Sequence, residues 1–194
     1  MENTQVVSGV LRLLESLGEL PEPVAEPTLI VVSGLPGTGK SYFSKRLADR
    51  LPFLVLESDA LRKTLFSPPS YSPQESTQLF QTIHRLVRDL LNKGIPLILD
   101  ATNLSERARE QLYSIADQLG VKLVLVRVEA PPEVVYQRLK GRVRDAENNS
   151  DADWEVYRRM RPSAERIRRN HYVVDTSRDI TPALDKIVRK VMHR

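Results

Sequence analysis

The run TLIVVSGLPGTGKS, from Thr28 to Ser41, constrains this chain more than any other stretch. Its first part is apolar and β-branched and predicts a buried strand. Gly34, Leu35, Pro36, Gly37, Thr38, Gly39, Lys40 and Ser41 follow in the pattern G-x-x-x-x-G-K-S, and helical periodicity resumes through Phe43, Leu47 and Leu51. Strand, bare loop and helix in that order make a cradle for a phosphate chain, because main-chain N–H groups can point inward where no side chain blocks the approach. The helix start adds partial positive charge. Lys40 is then expected to reach the β- and γ-phosphates and Ser41 to ligate Mg²⁺, with Tyr42 bordering the same ligand. A nucleoside triphosphate, ATP as the default, with Mg²⁺ as cofactor is the expected ligand.

Beyond this stretch the chain alternates. Strands are predicted at Phe53–Leu56, Ile95–Leu99, Val121–Val128 and His171–Asp175. Helices separate them: a short one after Asp59, a long one opened by Ser72-Pro73-Gln74-Glu75 as a capping box and closed at Gly94, one from Ser105 to Gly120, and one from Pro132 to about Gly141. A further helix is predicted over residues 152–170, and a terminal one after Pro182. This pattern implies an α/β fold of three layers, a five-stranded parallel sheet with helices on both faces and a small lid. Residues 1–27 read as an amphipathic helix and a Pro-rich connector packed outside a core of 28–194, with the polar stretch at about 141–153 as the lid.

Composition narrows the field. There is no cysteine in 194 residues, which excludes disulfides and thiolate metal sites. Glu2 stands where a basic leader would begin, and no apolar run approaches a membrane span, so a cytoplasmic protein with no membrane partner is expected. The net charge of +4 is compatible with phosphorylated or nucleic-acid partners without requiring them.

In open parallel sheets ligands bind beyond the carboxyl ends of the strands. Ser33, Gly34, Asp59, the stretch from Asp100 to Asn103, Glu129 and Asp175 all fall at such ends and are expected to converge on one cleft. Asp59 is the candidate base for an acceptor hydroxyl, with Arg62 one helical turn on to hold an anion; the alternative is that Asp59 caps its helix and pairs with Arg62. Asp100 is a candidate for the metal, while Thr102 and Asn103 are candidates for orienting the acceptor or Asp100. Arg138, Arg142 and Arg144 flank the lid, and one of them, Arg142 ahead of the others, is expected to close over the γ-phosphate. The arginine-dense stretch from Arg158 to Arg169 is read as a solvated, internally paired helix face, with a nucleic-acid groove as the alternative.

The segments GLPGTGKS, ESDALRKTL, LILDATNLSERAR and VEAPPEVVYQRLKGR together resemble the small P-loop kinases that include polynucleotide 5′-hydroxyl kinases, chloramphenicol phosphotransferase and zeta toxins. The resemblance covers most of residues 28–175. It implies ATP-dependent phosphotransfer, with Lys40, Asp59 and Arg142 catalytic, Arg62 on an acceptor phosphate, and Arg138 on the ATP phosphates. It also implies Asp100 and Asn103 in the acceptor or metal site. A polynucleotide 5′-hydroxyl or a small metabolite or antibiotic is the expected acceptor. A nucleotide-dependent switch without an acceptor is the alternative of another class.

Overall fold

Thr28–Ser33 forms β1, and every one of its residues is buried. Leu29 and Val31 point to one face of the sheet and Ile30 and Val32 to the other, each into its own apolar cluster. That two-sided burial marks β1 as a central strand of a parallel sheet. A computed structural model describes residues 4–142 and 152–193. The other strands are β2 (Leu54–Glu57), β3 (Leu97–Asp100), β4 (Lys122–Glu129) and β5 (Tyr172–Asp175), all parallel, in the order β2-β3-β1-β4-β5.

The helices divide between the two faces. Those described are α1 (Thr4–Ser16), α2 (Lys40–Ala48), α3 (Ser58–Leu65), α4 (Pro73–Asn92), α5 (Glu106–Leu119), α6 (Pro132–Arg142), α7 (Trp154–Met160) and α8 (Thr181–Met192). One face carries α3, α4 and α5 through Leu61, Leu86, Leu90 and Leu112, and the other carries α2 and α8 through Phe43, Leu47, Leu184 and Ile187. The three-layer α/β reading is thus the architecture observed. The N-terminal helix α1 lies over α3 and α4, with Val6, Val10 and Leu13 buried. Its Gly9 comes so near α4 that an added Cβ would meet Thr82 at 3.0 Å.

The capping box forms in half. Ser72 Oγ accepts from the Glu75 N–H at 3.2 Å, but the Glu75 carboxylate turns to Ser70, Tyr71 and Arg62. The predicted helix over 152–170 ends at Met160. Pro162 sits in a 3₁₀ turn at Arg161–Ser163, and the chain beyond runs without helix to β5. Proline lacks an N–H and its ring crowds the preceding turn, which outweighs the apolar spacing there. Most of the predicted lid (143–151, with Arg144) lies outside the described residues.

Candidate active site

Two hollows meet at the phosphate-binding loop. The first, a space of about 740 Å³, is lined by Gly39, Tyr42, Arg46, Arg138, Thr176 and Leu184 among others. The second, about 390 Å³, is lined on its loop side by Gly37, Gly39, Lys40 and Ser41, and on its far side by Asp59, Arg62, Asp100 and Thr102. Gly39 lies on both walls, so a chain of phosphates over this residue would connect the two spaces.

The loop's glycines are dictated by what surrounds them. At Gly34 a Cβ would fall 2.3 Å from the Val128 carbonyl oxygen, a clash with main chain that no rotamer relieves. Gly39 has φ of +92° and would meet the Thr176 side chain at 3.0 Å. Thr38 Oγ1 donates to Leu35 O at 2.8 Å, and Lys40 Nζ donates to the same carbonyl at 3.1 Å. Helix α2 starts immediately after, with Phe43 N–H bonded to Gly39 O, so its first N–H groups face the loop.

Strand register creates the acidic side. Glu57 on β2 pairs with Asp100 on β3, which in turn neighbours Val32 on β1, so the ends of three strands stand side by side. Asp59 is in the first turn of α3 directly after β2. Asp100 is buried, and its Oδ2 has no hydrogen-bond partner among the described residues. Burial pushes its carboxyl above the usual aspartate range. The Lys40 ammonium and Ser41 hydroxyl pull it down, while the Glu57 and Asp59 carboxylates push it up further. A buried carboxylate oxygen left over beside a hydroxyl offers the oxygen donors that a hard divalent cation fits. Ser41 and Asp100 are the residues that could hold it.

The expected cleft gathers only part of its candidates. Thr102 lines the second hollow, but Asn103 does not. Asn103 is buried with φ of +44°, and its main-chain carbonyl accepts from Ser33 Oγ at 3.1 Å and from Arg109 Nη1 at 2.6 Å. Glu129 and Asp175 stay out of both hollows. Glu129 pairs with Arg127, and Asp175 accepts from the Ser177 N–H and hydroxyl. Strand order keeps them from the second hollow, since β4 and β5 lie on the opposite side of β1 from β2 and β3; at the first hollow it is Thr176, next to Asp175, that forms the wall. Arg62 lines the second hollow, yet its guanidinium is bonded to Glu75 and to Ser76 Oγ and stacks on Tyr71 at 5.0 Å, instead of pairing with Asp59. Arg138 donates to Thr176 Oγ1 and O, both at 2.8 Å, beside the first hollow. Arg142 is the last residue of α6, and its side chain lies outside the described set.

Two residues that shape the site are given no role by the sequence reading. Thr176 Oγ1 donates to Thr38 O at 2.6 Å and ties the end of β5 to the loop. Arg109 is 1% exposed and spends its whole guanidinium on Glu106 and the carbonyls of Asn103, Leu104, Glu165 and Arg166. It thereby joins the loop after β3 to the segment beyond α7. Within the stretch 158–169, only Arg169 forms an ion pair among the described residues, with Asp117, so the expected internal pairing is absent. The expected pairing presupposes one continuous helix, and the chain leaves helix at the Pro162 turn.

Residues 29–167 match the family model AAA_33, described as an AAA domain. The chain belongs to the AAA_33 family. It shares 27% identity over 118 residues with an adenylyl-sulfate kinase of Myxococcus xanthus, covering 58% of this chain and 64% of that protein. It shares 25% over 115 residues with an L-seryl-tRNA(Sec) kinase of Methanococcus maripaludis, covering 57% of this chain and 44% of that protein. In both cases the match spans less than two thirds of the relative. The fold matches an APS kinase of Mycobacterium tuberculosis solved with AMPPNP and APS, at a TM-score of 0.63 and 19% identity over 88% of this chain and 99% of that one. None of the AAA_33 chain's described helices is long and apolar enough to cross a membrane.

Proposed function

We propose that this AAA_33 protein is an ATP-dependent phosphotransferase that moves the γ-phosphate to an acceptor hydroxyl. One observation carries the reading: Asp59 lines the same cavity as Lys40, Ser41, Asp100 and Thr102. A base, a phosphate-binding ammonium and a cation-binding pair around one space are the parts that in-line phosphoryl transfer requires.

In this reading the nucleoside occupies the hollow beside Tyr42, Arg138 and Thr176, and the triphosphate runs over Gly34–Ser41. The acceptor enters the hollow at Asp59. Asp59 takes the hydroxyl proton as the acceptor oxygen bonds to the γ-phosphorus, and the bond from that phosphorus to the β-bridging oxygen breaks, releasing ADP. Lys40 neutralises charge on the β- and γ-phosphates. Ser41 and Asp100 would hold Mg²⁺, which when bound would supply further positive charge to the transferring group. Arg142 is the lid arginine of the reaction, and Thr102 and Asn103 hold the loop that borders the acceptor. Residues 28–194 make up the catalytic unit, with 1–27 as its outer layer.

Labelled ATP·Mg²⁺ incubated with pooled hydroxyl acceptors, 5′-OH DNA and RNA included, tests the reading by asking what gains phosphate. Asp59→Asn is expected to keep ATP binding and to lose about 10²-fold or more in turnover, the scale of a missing general base. Lys40→Ala is expected to lose binding and turnover together. Normal turnover in Asp59→Asn removes that residue from the chemistry.

A further inference from the structure

The second hollow has an acceptor half that none of the motifs describes. Its wall is apolar and aromatic, made by Tyr71, Leu79 and Phe80 from the α4 side and by Val156 and Met160 from α7. Two cations border the same space, Lys45 one helical turn after Ser41 and Arg159 one turn after Val156. Both are exposed, and neither forms an ion pair among the described residues.

Arg62 differs from them in kind. It is 7% exposed, and its charge is met by the equally buried Glu75. Although burial favours the protonated acid, hydrogen bonds from Ser70, Arg62 and Tyr71 hold the Glu75 carboxyl down at about 2, so the pair is neutral as a unit. Drawing Arg62 onto a ligand anion would strand that buried carboxylate. Lys40 faces the triphosphate, and Glu57, Asp59 and Asp100 add negative charge to the same space. A polynucleotide track, which neutralises a succession of phosphates, needs more cations than the described residues of this wall supply, where Lys45 and Arg159 stand against Glu57, Asp59 and Asp100.

We propose that this hollow takes a compact hydroxyl compound with a flat or aliphatic body and one anionic group of its own, and that Arg159, assisted by Lys45, receives the anion in place of Arg62. The apolar wall buries the body, Asp59 faces the hydroxyl, and Arg159 fixes the far end. Arg62 is a positioning residue, orienting Tyr71 and the loop before α4. This inference rests on the phosphotransferase reading above.

The test uses the full chain, labelled ATP·Mg²⁺, the low-molecular-mass fraction of a cell extract, and 5′-OH RNA and DNA oligonucleotides. Phosphate is expected on a low-mass product that binds an anion exchanger more tightly than the monophosphate of a neutral alcohol. With that acceptor, Arg159→Gln is expected to lower kcat/KM by about 10-fold or more while leaving the KM for ATP within about two-fold, as loss of one charge-assisted contact requires. Phe80→Ala is expected to raise the acceptor KM in the same way. Preferential labelling of the oligonucleotides, a product from a neutral acceptor, or unchanged kinetics in Arg159→Gln overturns the proposal and leaves phosphotransfer intact. No label in any fraction, with ATP still raising the melting temperature, overturns both.

Discussion

Glu75 is ionised although burial raises its carboxyl, because Ser70, Tyr71 and Arg62 surround it with donors. Its carboxyl titrates near 4.5 when unfolded and at about 2 when folded. The folded chain therefore binds fewer protons between those values, and the stabilisation is complete above pH 4.5 and lost as pH falls toward about 2. His84 on α4 acts in the same direction at higher pH. Burial lowers its imidazole from 6.5 to about 4, so its neutral form stabilises the fold above 6.5 and that contribution is lost as pH falls toward about 4. Thermal unfolding followed across pH should show both limbs. His84→Gln is expected to flatten the upper one, and Glu75→Gln to flatten the lower one while lowering the melting temperature at neutral pH by unpairing Arg62.

At the level of elements, Arg109 decides how the loop after β3 meets the segment after α7. A lysine offers three donors from a single point where arginine offers five in a plane, so it cannot serve four carbonyls and Glu106 together. Arg109→Lys is expected to lower unfolding stability by roughly 2–3 kcal/mol, the cost of leaving buried carbonyls unmatched. Urea denaturation measures it. The acceptor KM should rise more than the ATP KM, since Val156, Arg159 and Met160 line the acceptor side through α7. Helix α1 offers a contrasting case of plain packing. Leu13 is fully buried against the face of α3 and α4, and Leu13→Ala is expected to cost about 2–5 kcal/mol, again read by denaturation.

Across the whole molecule, the proposed function assigns nucleotide effects to the first hollow and acceptor effects to the second. Thr176 lines the first and not the second, receives Arg138 and ties Thr38. Thr176→Val is expected to weaken ATP binding by about 10-fold, the scale of one lost hydrogen bond in a polar site, with the acceptor KM unchanged. Because nucleotide binds the folded form, ATP·Mg²⁺ at 100 times its Kd should raise stability by about 2.7 kcal/mol, a shift that calorimetry reads directly.

Local chemistry made part of this protein legible from its residues. A loop that must expose bare amides admits few sequences, so Gly34 to Ser41, the strand before it and the helix after it were evident, as were the five parallel strands with their layered helices. The placement of Asp59 and Asp100 on one hollow was legible because both follow strand ends, where such sheets open their clefts. What the sequence could not contain was the order of the strands, which brings Glu57 to Asp100 and sends Glu129 and Asp175 elsewhere. The partner of Arg62 and the carbonyls gathered by Arg109 were equally out of reach, since both depend on contacts that exist only after distant segments have packed. Motif spacing is a property of neighbouring residues, whereas a guanidinium's partner is a property of the fold: a buried charge must be satisfied by whatever packing brings to it.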